Sequence, residues 1–450
     1  MKNISRRTAL KLIGGGVLAL AGAGLWHRDE IVRFLDNDAR EVKEKGTDLL
    51  VKKRPYYETE LSILGFGAMR FPTKGVDIDE ELAEKMIDYA YRHGVNYYDT
   101  AYIYHLGNSE GFLGRVLAKY PRESYYLVDK MPTFMVFSPS DVPEIFEKQL
   151  KRCGVEYFDN YMLHSLTSKS EFEKVYIAGG GLDYLKEQQA KGRIKHLGFS
   201  YHGEYPFYEE LMENYKWDFV MIQLNYADWN DENEAPSGSK QGGSLYRKAV
   251  EKNVPVFVME PVKGGNLANV TPEQAEIFRR QHEDWSPASW AIRYVASFPQ
   301  VVTLLSGMSD INQVIDNVNT MSEFEPLTDV EQRTIALAQG KAVQGTINCT
   351  YCRYCDPCPY GVDIAGNFRA YNEWAERLGV AEGEGTKENK KLFLQKYKNY
   401  VVKLARANHC ISCGVCLPKC PQSLQIPSEL AKVSKLVKKF SLEVGMGEIV

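Results

Sequence analysis

The chain from residue 95 to residue 130 reads VNYYDTAYIYHLGNSEGFLGRVLAKYPRESYYLVDK, and its two ends show the pattern that decides the fold. Each end is a short, mostly apolar run that finishes in a polar or charged residue. Runs of this kind are typical of buried β-strands. Eight of them recur at regular spacing: Leu61–Gly67, Val95–Thr100, Tyr125–Lys130, Tyr157–His164, Ile194–Ser200, Phe219–Asn225, Pro255–Glu260 and Val301–Gly307.

Amphipathic helical patterns separate most of these runs. Near-continuous apolar strands that alternate with helices predict a parallel sheet buried on both faces. Eight β-α units over about 265 residues fit a closed (β/α)8 TIM barrel, of fold class α/β. A doubly wound open sheet is the alternative, but no Gly-x-Gly-x-x-Gly turn follows the first strand. The helical patterns include Glu80–His93, Val142–Cys153, Leu182–Lys191 and Ser244–Asn253.

Composition limits the other classes of protein. The chain has 450 residues, of which 44% are apolar and 25% charged, and this balance is typical of a globular protein. A net charge of −4 gives no electrostatic case for nucleic acid as a partner. No apolar run reaches the roughly 18 residues that a clean transmembrane helix needs.

The N-terminus looks like a targeting segment. Ser5–Lys11, which reads SRRTALK, resembles a twin-arginine (Tat) signal, and the weakly apolar stretch Leu12–Leu25 follows it. An amphipathic or basic tail is the alternative. We therefore predict a signal over residues 1–28 and a linker over 29–57. The expected location is the periplasm or the outer face of the cytoplasmic membrane, with membrane contact only through an uncleaved signal.

Charged and polar side chains stand at the ends of successive predicted strands. The second strand ends at Asp99, the third at Lys130 and the fourth at His164, and Tyr104 follows Asp99 by five residues. A barrel core gains nothing from a carboxylate, an ammonium and an imidazole, because each needs a partner when it leaves water. This clustering predicts a catalytic site at the carboxyl ends of the strands.

These four residue types suit proton delivery to a carbonyl oxygen. A phenol with an ordinary pKa near 10 is a poor acid at neutral pH, and a nearby ammonium favours its ionisation. We therefore expect Tyr104 to be the acid/base and Lys130 to assist it, with Asp99 holding Lys130. His164 would bind and orient the substrate carbonyl.

The Asp99-x4-Tyr104 spacing, with Lys130 and His164 on the next two strand ends, resembles the aldo-keto reductase superfamily over residues 58–325. The resemblance implies reversible hydride transfer between a nicotinamide cofactor and a small carbonyl or alcohol substrate. Three aromatic residues would suit a sugar as that substrate: Tyr102, Phe71 and Trp229.

The same resemblance implies that NADP or NAD lies across the barrel mouth. Ser200 and Gln223 would bind the carboxamide, and the N-terminus of the helix after the last strand would receive phosphate. Tyr201, Met259 and Gln313 stand where the family often has Asn, an aromatic residue and Arg, so the choice between NADP and NAD stays open. The expected contacts are Ser200, Gln223, Met259, Gly264, Ser306, Gly307, Met308, Ser309, Gln313 and Asn317, with Asp316 on the same helix.

Eight of the nine cysteines fall into two runs near the C-terminus. The second run matches the bacterial ferredoxin spacing for a [4Fe–4S] cluster, and the first is one residue shorter before its last cysteine. A disulfide framework and zinc are the alternatives. Close spacing and the proline after each final cysteine favour two iron–sulfur clusters. The cysteines are Cys349, Cys352, Cys355 and Cys358 in the first run and Cys410, Cys413, Cys416 and Cys420 in the second.

Ferredoxin precedent implies that the two runs cross. The last cysteine of each run would serve the other cluster, so Cys420 would join the first run and Cys358 the second. Helical patterns at Ile364–Leu378 and Glu388–Ala407 lie between the runs, and they predict a small, mainly helical ferredoxin-like domain over residues 326–450. Cys153 stands alone on an apolar helix face and is expected to be buried packing.

Together these features predict an exported iron–sulfur oxidoreductase that moves a hydride between a nicotinamide and a carbonyl or alcohol. The clusters would transfer electrons, with a redox partner protein, or would be structural. The alternative is an iron–sulfur electron-transfer or partner-binding protein on a barrel that no longer turns over nicotinamide.

Overall fold

The structure is a computed structural model that describes residues 46, 49–340, 347, 349–375, 378, 380, 383–422 and 424–446. The predicted Tat signal and most of the predicted linker lie outside the described residues. Strands and helices are numbered here in chain order. The strands are β1 Lys53–Tyr56, β2 Thr59–Ser62, β3 Leu64–Gly67, β4 Thr73–Lys74, β5 Asp77–Ile78, β6 Tyr97–Asp99, β7 Tyr126–Pro132, β8 Phe158–Leu166, β9 Ile194–Tyr201, β10 Phe219–Gln223, β11 Val256–Met259 and β12 Val301–Ser306.

Eight of these strands close into a parallel barrel, which confirms the predicted fold. The order around the barrel is β3, β6, β7, β8, β9, β10, β11, β12 and back to β3. All five residues of β10 are buried, and so are all six of β12. Burial on both faces is why these strands are apolar along their whole length instead of alternating.

Fourteen α-helices accompany the strands in the described part of the chain. They are α1 Glu80–Arg92, α2 Ser109–Leu117, α3 Asp141–Cys153, α4 Lys169–Phe172, α5 Gly181–Ala190, α6 Tyr205–Asn214, α7 Gly242–Glu251, α8 Pro272–Gln281, α9 Pro287–Ala296, α10 Ile311–Ser322, α11 Asp329–Gln339, α12 Ile364–Trp374, α13 Lys387–Tyr400 and α14 Ile426–Val444. None of the described helices has the length and apolar character needed to cross a bilayer.

Two separate apolar cores form inside and outside the barrel wall. Large side chains of several strands, such as Tyr97, Met162 and Phe257, fill the inside. The larger outer core lies between the strands and the surrounding helices. The barrel is therefore a packed core and not a pore, and chemistry is confined to its ends.

The end of the predicted linker is ordered structure. β1 pairs antiparallel with β2, and the Tyr56 side chain is 2% exposed and packs against Phe257. Arg54 donates a hydrogen bond to the Phe298 carbonyl at 3.0 Å. Alternation in so short a hairpin is a weak sequence signal, which is why the predicted linker includes these residues.

The C-terminal region has its own core, built by α12, α13 and α14. Apolar residues of all three helices meet there, among them Phe368, Phe393 and Phe440. The predicted helix Glu388–Ala407 ends earlier, at Tyr400, because Val401 and Val402 adopt extended backbone before two short 3-10 turns. α14 is long and amphipathic, and the sequence analysis did not predict it.

A close contact between α2 and α3 allows the packing of the helices around the barrel to be tested by substitution. A Cβ at Gly114 would lie within 3.0 Å of the Cys153 carbonyl, whereas a Cβ at Gly111, one turn earlier on the same helix, would have no neighbour closer than 3.8 Å. Gly114→Ala should lower the free energy of unfolding by about 1–3 kcal/mol. Gly111→Ala should leave it unchanged or raise it by up to about 1 kcal/mol, because alanine favours helix. Urea unfolding of both variants checks this, and equal effects would contradict the packing described.

Candidate active site

The four predicted catalytic side chains come together at the carboxyl end of the barrel. Asp99 ends β6, while Lys130 and His164 lie near the ends of β7 and β8. Tyr104 begins a short 3-10 turn on the loop after β6. Asp99, Lys130 and His164 are each at most 2% exposed, and Tyr104 is 9% exposed. We refer to these four residues as the tetrad.

Lys130 is the centre of the tetrad. Its ammonium donates to Asp99 Oδ1 at 2.5 Å and to the Thr100 carbonyl at 2.6 Å. The Tyr104 hydroxyl lies farther away, at 3.4 Å from Lys130 Nζ. The charge of Lys130 is therefore compensated mainly by Asp99, and this buried pair fixes where the ammonium sits beneath Tyr104.

Burial sets the protonation states of Tyr104 and His164. It raises the pKa of Tyr104 well above its ordinary value, and the Asp99 carboxylate adds to that shift. Burial also lowers the pKa of His164 well below its ordinary value, with a further contribution from Lys130. In this arrangement Tyr104 is a phenol and His164 a neutral imidazole. The Lys130 ammonium was expected to lower the pKa of Tyr104 and so favour tyrosinate. Desolvation of the buried hydroxyl outweighs that effect.

A tyrosine of the C-terminal region reaches into the tetrad. The Tyr354 hydroxyl lies 2.9 Å from His164 Nε2. It also lies close enough to the Tyr104 hydroxyl for the two phenols to interact electrostatically. Tyr354 stands between Cys352 and Cys355 in the first cysteine run. It therefore occupies the place between acid and imidazole where a substrate oxygen is expected.

Gln422 makes a second contact of this kind. It lies two residues after Cys420, and its amide nitrogen donates to Gln223 Oε1 at 2.9 Å. Gln223 in turn donates to Asp228 at 2.6 Å. Ser200 accepts a hydrogen bond from the Ser165 amide at 2.7 Å. Both residues expected to hold a carboxamide are thus engaged within the chain.

Further contacts extend this seam between the barrel and the first cysteine run. Arg70 donates to the Thr350 carbonyl, and Asn266 donates to the Cys349 carbonyl at 3.2 Å. Gly264 lies at positive φ, and a Cβ there would overlap Thr350. Burial raises the pKa of Glu260, which accepts from Gln422 at 3.2 Å, to about 7. The C-terminal region is therefore closely fitted to the barrel mouth.

The expected phosphate-binding end of the nucleotide site is more open. Ser309 and Gln313 are exposed near the N-terminus of α10, where the Ser309 amide donates to Gln313 Oε1 at 2.9 Å. Ser306 and Asn317 are buried and bonded to each other at 2.8 Å. Of the other expected contacts, Met259 is partly buried beside the barrel core, and Met308 is buried. Gly307 faces the Arg70 side chain, and Asp316 accepts a hydrogen bond from Ser286.

The eight cysteines form two groups that cross between the runs. Cys355 lies close enough to Cys349, Cys352 and Cys420 for their charges to interact. Cys416 has the corresponding neighbours Cys410, Cys413 and Cys358. We call these the first and second cysteine sets. This is the grouping that the ferredoxin spacing implies.

The two sets have different surroundings. The charge of Cys352 interacts with Tyr104 and with Glu260, so the first set lies against the barrel site. The second set lines a cavity with Tyr360, Ile411 and Val415, and Cys413 is exposed. Among the described residues no three His, Cys, Asp or Glu side chains converge as they would around a single metal ion.

The aromatic residues proposed for a sugar lie elsewhere. Phe71 is in the core against Phe112, Trp229 stacks on Phe298, and Tyr102 packs against Arg152. The aromatic rings beside His164 are instead Phe134, at 5.7 Å between centroids, and Tyr354, at 5.9 Å. Phe134 is 40% exposed. Sequence position on the barrel loops could not distinguish these two groups.

Other site residues were also missed from sequence. Asp228 and Lys263 form a buried ion pair beside Gln223, and Glu260 lies next to them. Asp228 follows β10 and Glu260 follows β11, so their place after a predicted strand was an available signal. Tyr354 and Gln422 gave no such signal, because only the docking of the cysteine loops brings them to the barrel.

Comparison with known proteins agrees with this architecture. The chain matches the aldo/keto reductase family over residues 63–338 and a 4Fe-4S dicluster domain over residues 348–426. It is therefore a member of the aldo/keto reductase family, an oxidoreductase barrel followed by an iron–sulfur domain. The family match continues past the predicted barrel boundary at residue 325 and includes α11, where Gln274 of α8 donates to the Ala338 carbonyl at 3.1 Å.

Named relatives cover the barrel. The NADH-specific methylglyoxal reductase of Escherichia coli is 24% identical over 60% of this chain and 94% of its own length. The L-galactose dehydrogenase of Arabidopsis thaliana is 22% identical over 62% of this chain and 89% of its own. The aldo-keto reductase AKR11C1 of Bacillus halodurans, in its holo form, is 25% identical with a TM-score of 0.51, over 64% of this chain and 96% of its own.

Proposed function

We propose that this protein interconverts a small carbonyl compound and its alcohol at the tetrad, and that its iron–sulfur domain exchanges electrons with that site. The observation that carries this proposal is the position of Tyr354. A residue between two ligands of the first cysteine set is hydrogen-bonded to the catalytic imidazole at 2.9 Å. An iron–sulfur domain that only stabilised the fold would have no need to reach the reacting groups.

The tetrad supplies the proton chemistry. Reduction of a carbonyl to an alcohol adds two electrons and two protons, one of them to the oxygen. Tyr104 is protonated in its buried site and therefore able to deliver the proton to oxygen. His164 would donate a hydrogen bond to the same oxygen, and Lys130 would stabilise the tyrosinate that remains. Oxidation of an alcohol uses the same groups in reverse.

Closure of the site by Tyr354 is part of this proposal. Its hydroxyl occupies the hydrogen-bonding position on His164 Nε2 that a substrate oxygen needs, and it lies beside the Tyr104 hydroxyl. A substrate would therefore enter only when the Tyr354 side chain leaves. Phe134, beside both His164 and Tyr354 and 40% exposed, marks the solvent side of that space.

NADP or NAD fits only part of the barrel mouth. The exposed groups near the start of α10 could receive phosphate, but Gln223 is bound to Gln422 and Ser200 to Ser165. While the iron–sulfur domain is docked, the residues present leave no place for a nicotinamide at Gln223. We therefore assign no step to the nucleotide. For a nicotinamide to bind at Gln223, the iron–sulfur domain would first have to be released. Otherwise a redox path through the clusters would have to replace the nucleotide.

The two cysteine sets fit two [4Fe–4S] clusters. Each set has four thiols from both runs, and Cys153, the remaining cysteine, is buried in the barrel wall. Such clusters supply one-electron transfer when bound. The first set lies beside the tetrad and the second at the surface, which supports a role in carrying electrons between them.

We also propose export through the Tat route. The support is the SRRTALK stretch at residues 5–11 and the need to assemble clusters before export. For the substrate, the support is the activities named for the relatives. Both methylglyoxal and L-galactose have a carbonyl or hemiacetal carbon, so a small aldehyde, ketone or sugar is the class to screen first.

Tyr104→Phe tests the tetrad. It should lower kcat by at least about 100-fold, because it removes the phenolic proton held above Lys130. Tyr102→Phe, two residues away, is the matched control, since its hydroxyl contacts Lys148 and not the tetrad. Iron content and the visible absorption of the clusters should be the same in both variants. Turnover retained in Tyr104→Phe would refute the assignment of the acid.

Tyr354→Phe tests the closure of the site. It removes the hydroxyl that competes with substrate, so the apparent KM should fall by about tenfold while kcat stays within a factor of about two. Tyr360→Phe, on the exposed end of the same loop, should change neither constant. If kcat instead falls as far as in Tyr104→Phe, then Tyr354 is needed for the reaction and does not merely close the site.

Cysteine variants test the two crossing sets by electron paramagnetic resonance of the reduced protein. Cys420→Ser and Cys355→Ser should alter the same cluster signal, and Cys358→Ser and Cys413→Ser should alter the other. The reason is that each set draws its fourth thiol from the other run. A result that groups Cys420 with Cys413 would show that the runs do not cross.

A further inference from the structure

We infer that the surface over the second cysteine set binds an acidic one-electron carrier protein. This inference deepens the proposed function, because it names the partner that would supply or remove the electrons. It rests on three observations on the described residues: an exposed cluster ligand, an apolar rim and a surplus of positive charge.

Exposure gives the direction of electron flow through the domain. Cys413 is the exposed member of the eight cluster cysteines, while the first set lies against the buried tetrad. With clusters bound, the second set, which holds Cys413, would be the entry point for an electron, and the first set would hold it beside Tyr104. The transfer from a carrier forms and breaks no bond. Two such electrons with one proton are equivalent to the hydride that forms the new C–H bond at the carbonyl carbon, and Tyr104 would supply the second proton, which forms the O–H bond.

An apolar rim surrounds the exposed cysteine. Ile411 is 59% exposed, Tyr360 50% and Val415 44%, and all three line one cavity with Cys413. Leu404, which is 79% exposed, follows Lys403, whose carbonyl accepts from His409 at 3.2 Å just before Cys410. Exposed apolar side chains grouped around one site mark a protein contact surface. We call the surface formed by these residues, with Lys403 and Lys419, the carrier face.

Charge selects the kind of partner. From residue 396 to residue 428 the sequence has five basic residues and no acidic one, although the chain as a whole has a net charge of −4. Lys403 and Lys419 are exposed there. The nearby carboxylates Asp356 and Asp363 are both paired with Arg353, at 2.9 and 3.2 Å. The carrier face therefore presents two exposed ammonium groups, Lys403 and Lys419, beside an apolar centre, which suits a small acidic redox protein.

The test measures reduction of the clusters without any carbonyl substrate. The holoprotein is mixed in a stopped-flow instrument with an acidic flavodoxin in its hydroquinone form, and bleaching of the cluster absorption gives the second-order rate constant. The rate should fall steeply as ionic strength rises, because opposite charges steer the encounter. A flat or rising salt dependence would overturn the inference.

Charge reversal locates the site. Lys403→Glu with Lys419→Glu should lower the rate constant at low ionic strength by about tenfold or more. Lys186→Glu with Lys216→Glu makes the same change of net charge on exposed barrel lysines and should stay within about twofold of the unmodified protein. Lys403→Glu alone, seven residues from the nearest cluster cysteine, should give an intermediate rate. Equal rates in the carrier-face and barrel variants would overturn the inference.

Two controls separate this result from the other proposals. Dithionite, a small reductant, should reduce the clusters of every variant to the same extent, and iron content should be equal. Clusters that accept electrons from flavodoxin in a protein without carbonyl turnover would refute the proposed function but leave the carrier face standing. Clusters reduced by dithionite and not by flavodoxin, in a protein with turnover, would refute the carrier face alone.

Discussion

The buried pair between Lys130 and Asp99 constrains everything built at this end of the barrel. An ammonium that is 2% exposed needs a carboxylate held at contact distance, here 2.5 Å, and the two strand ends provide it. The pair leaves Lys130 beneath the Tyr104 hydroxyl, and the same low-polarity surroundings keep His164 neutral. A second buried pair, Lys263 with Asp228, repeats this arrangement on the far side of the barrel mouth.

These buried ion pairs are shielded from water only if another part of the chain covers the barrel mouth. In a bare barrel these groups would face solvent, and their pairing would be weaker. Here the loops that carry the first cysteine set cover them, through Tyr354 at His164 and Gln422 at Gln223. The iron–sulfur domain is thus part of the active site's solvent exclusion. This explains why the polar contacts of the iron–sulfur domain are made with His164 and Gln223, which also have proposed roles in the reaction.

The fold and the tetrad could be predicted from sequence because both follow from local patterns. A strand buried on both faces is apolar throughout, so its polar last residue stands out, as at Asp99 and His164. The cysteine spacing predicted the iron–sulfur domain in the same local way. Tyr354 carried no such mark: it is one tyrosine among 28, and its role depends on how one domain packs on another. Sequence spacing contains no information about that packing.

The position of the two cysteine sets supports the proposed electron-carrying role over a purely structural one. A structural centre is best placed inside its own domain's core, where α12, α13 and α14 would benefit from it. The cysteine sets instead lie at the edges of that core, one toward the tetrad and one toward solvent. Fold stability alone does not explain why one set faces the tetrad and the other faces solvent. A path for electrons requires it, because one end must meet a partner and the other must lie beside the reacting groups.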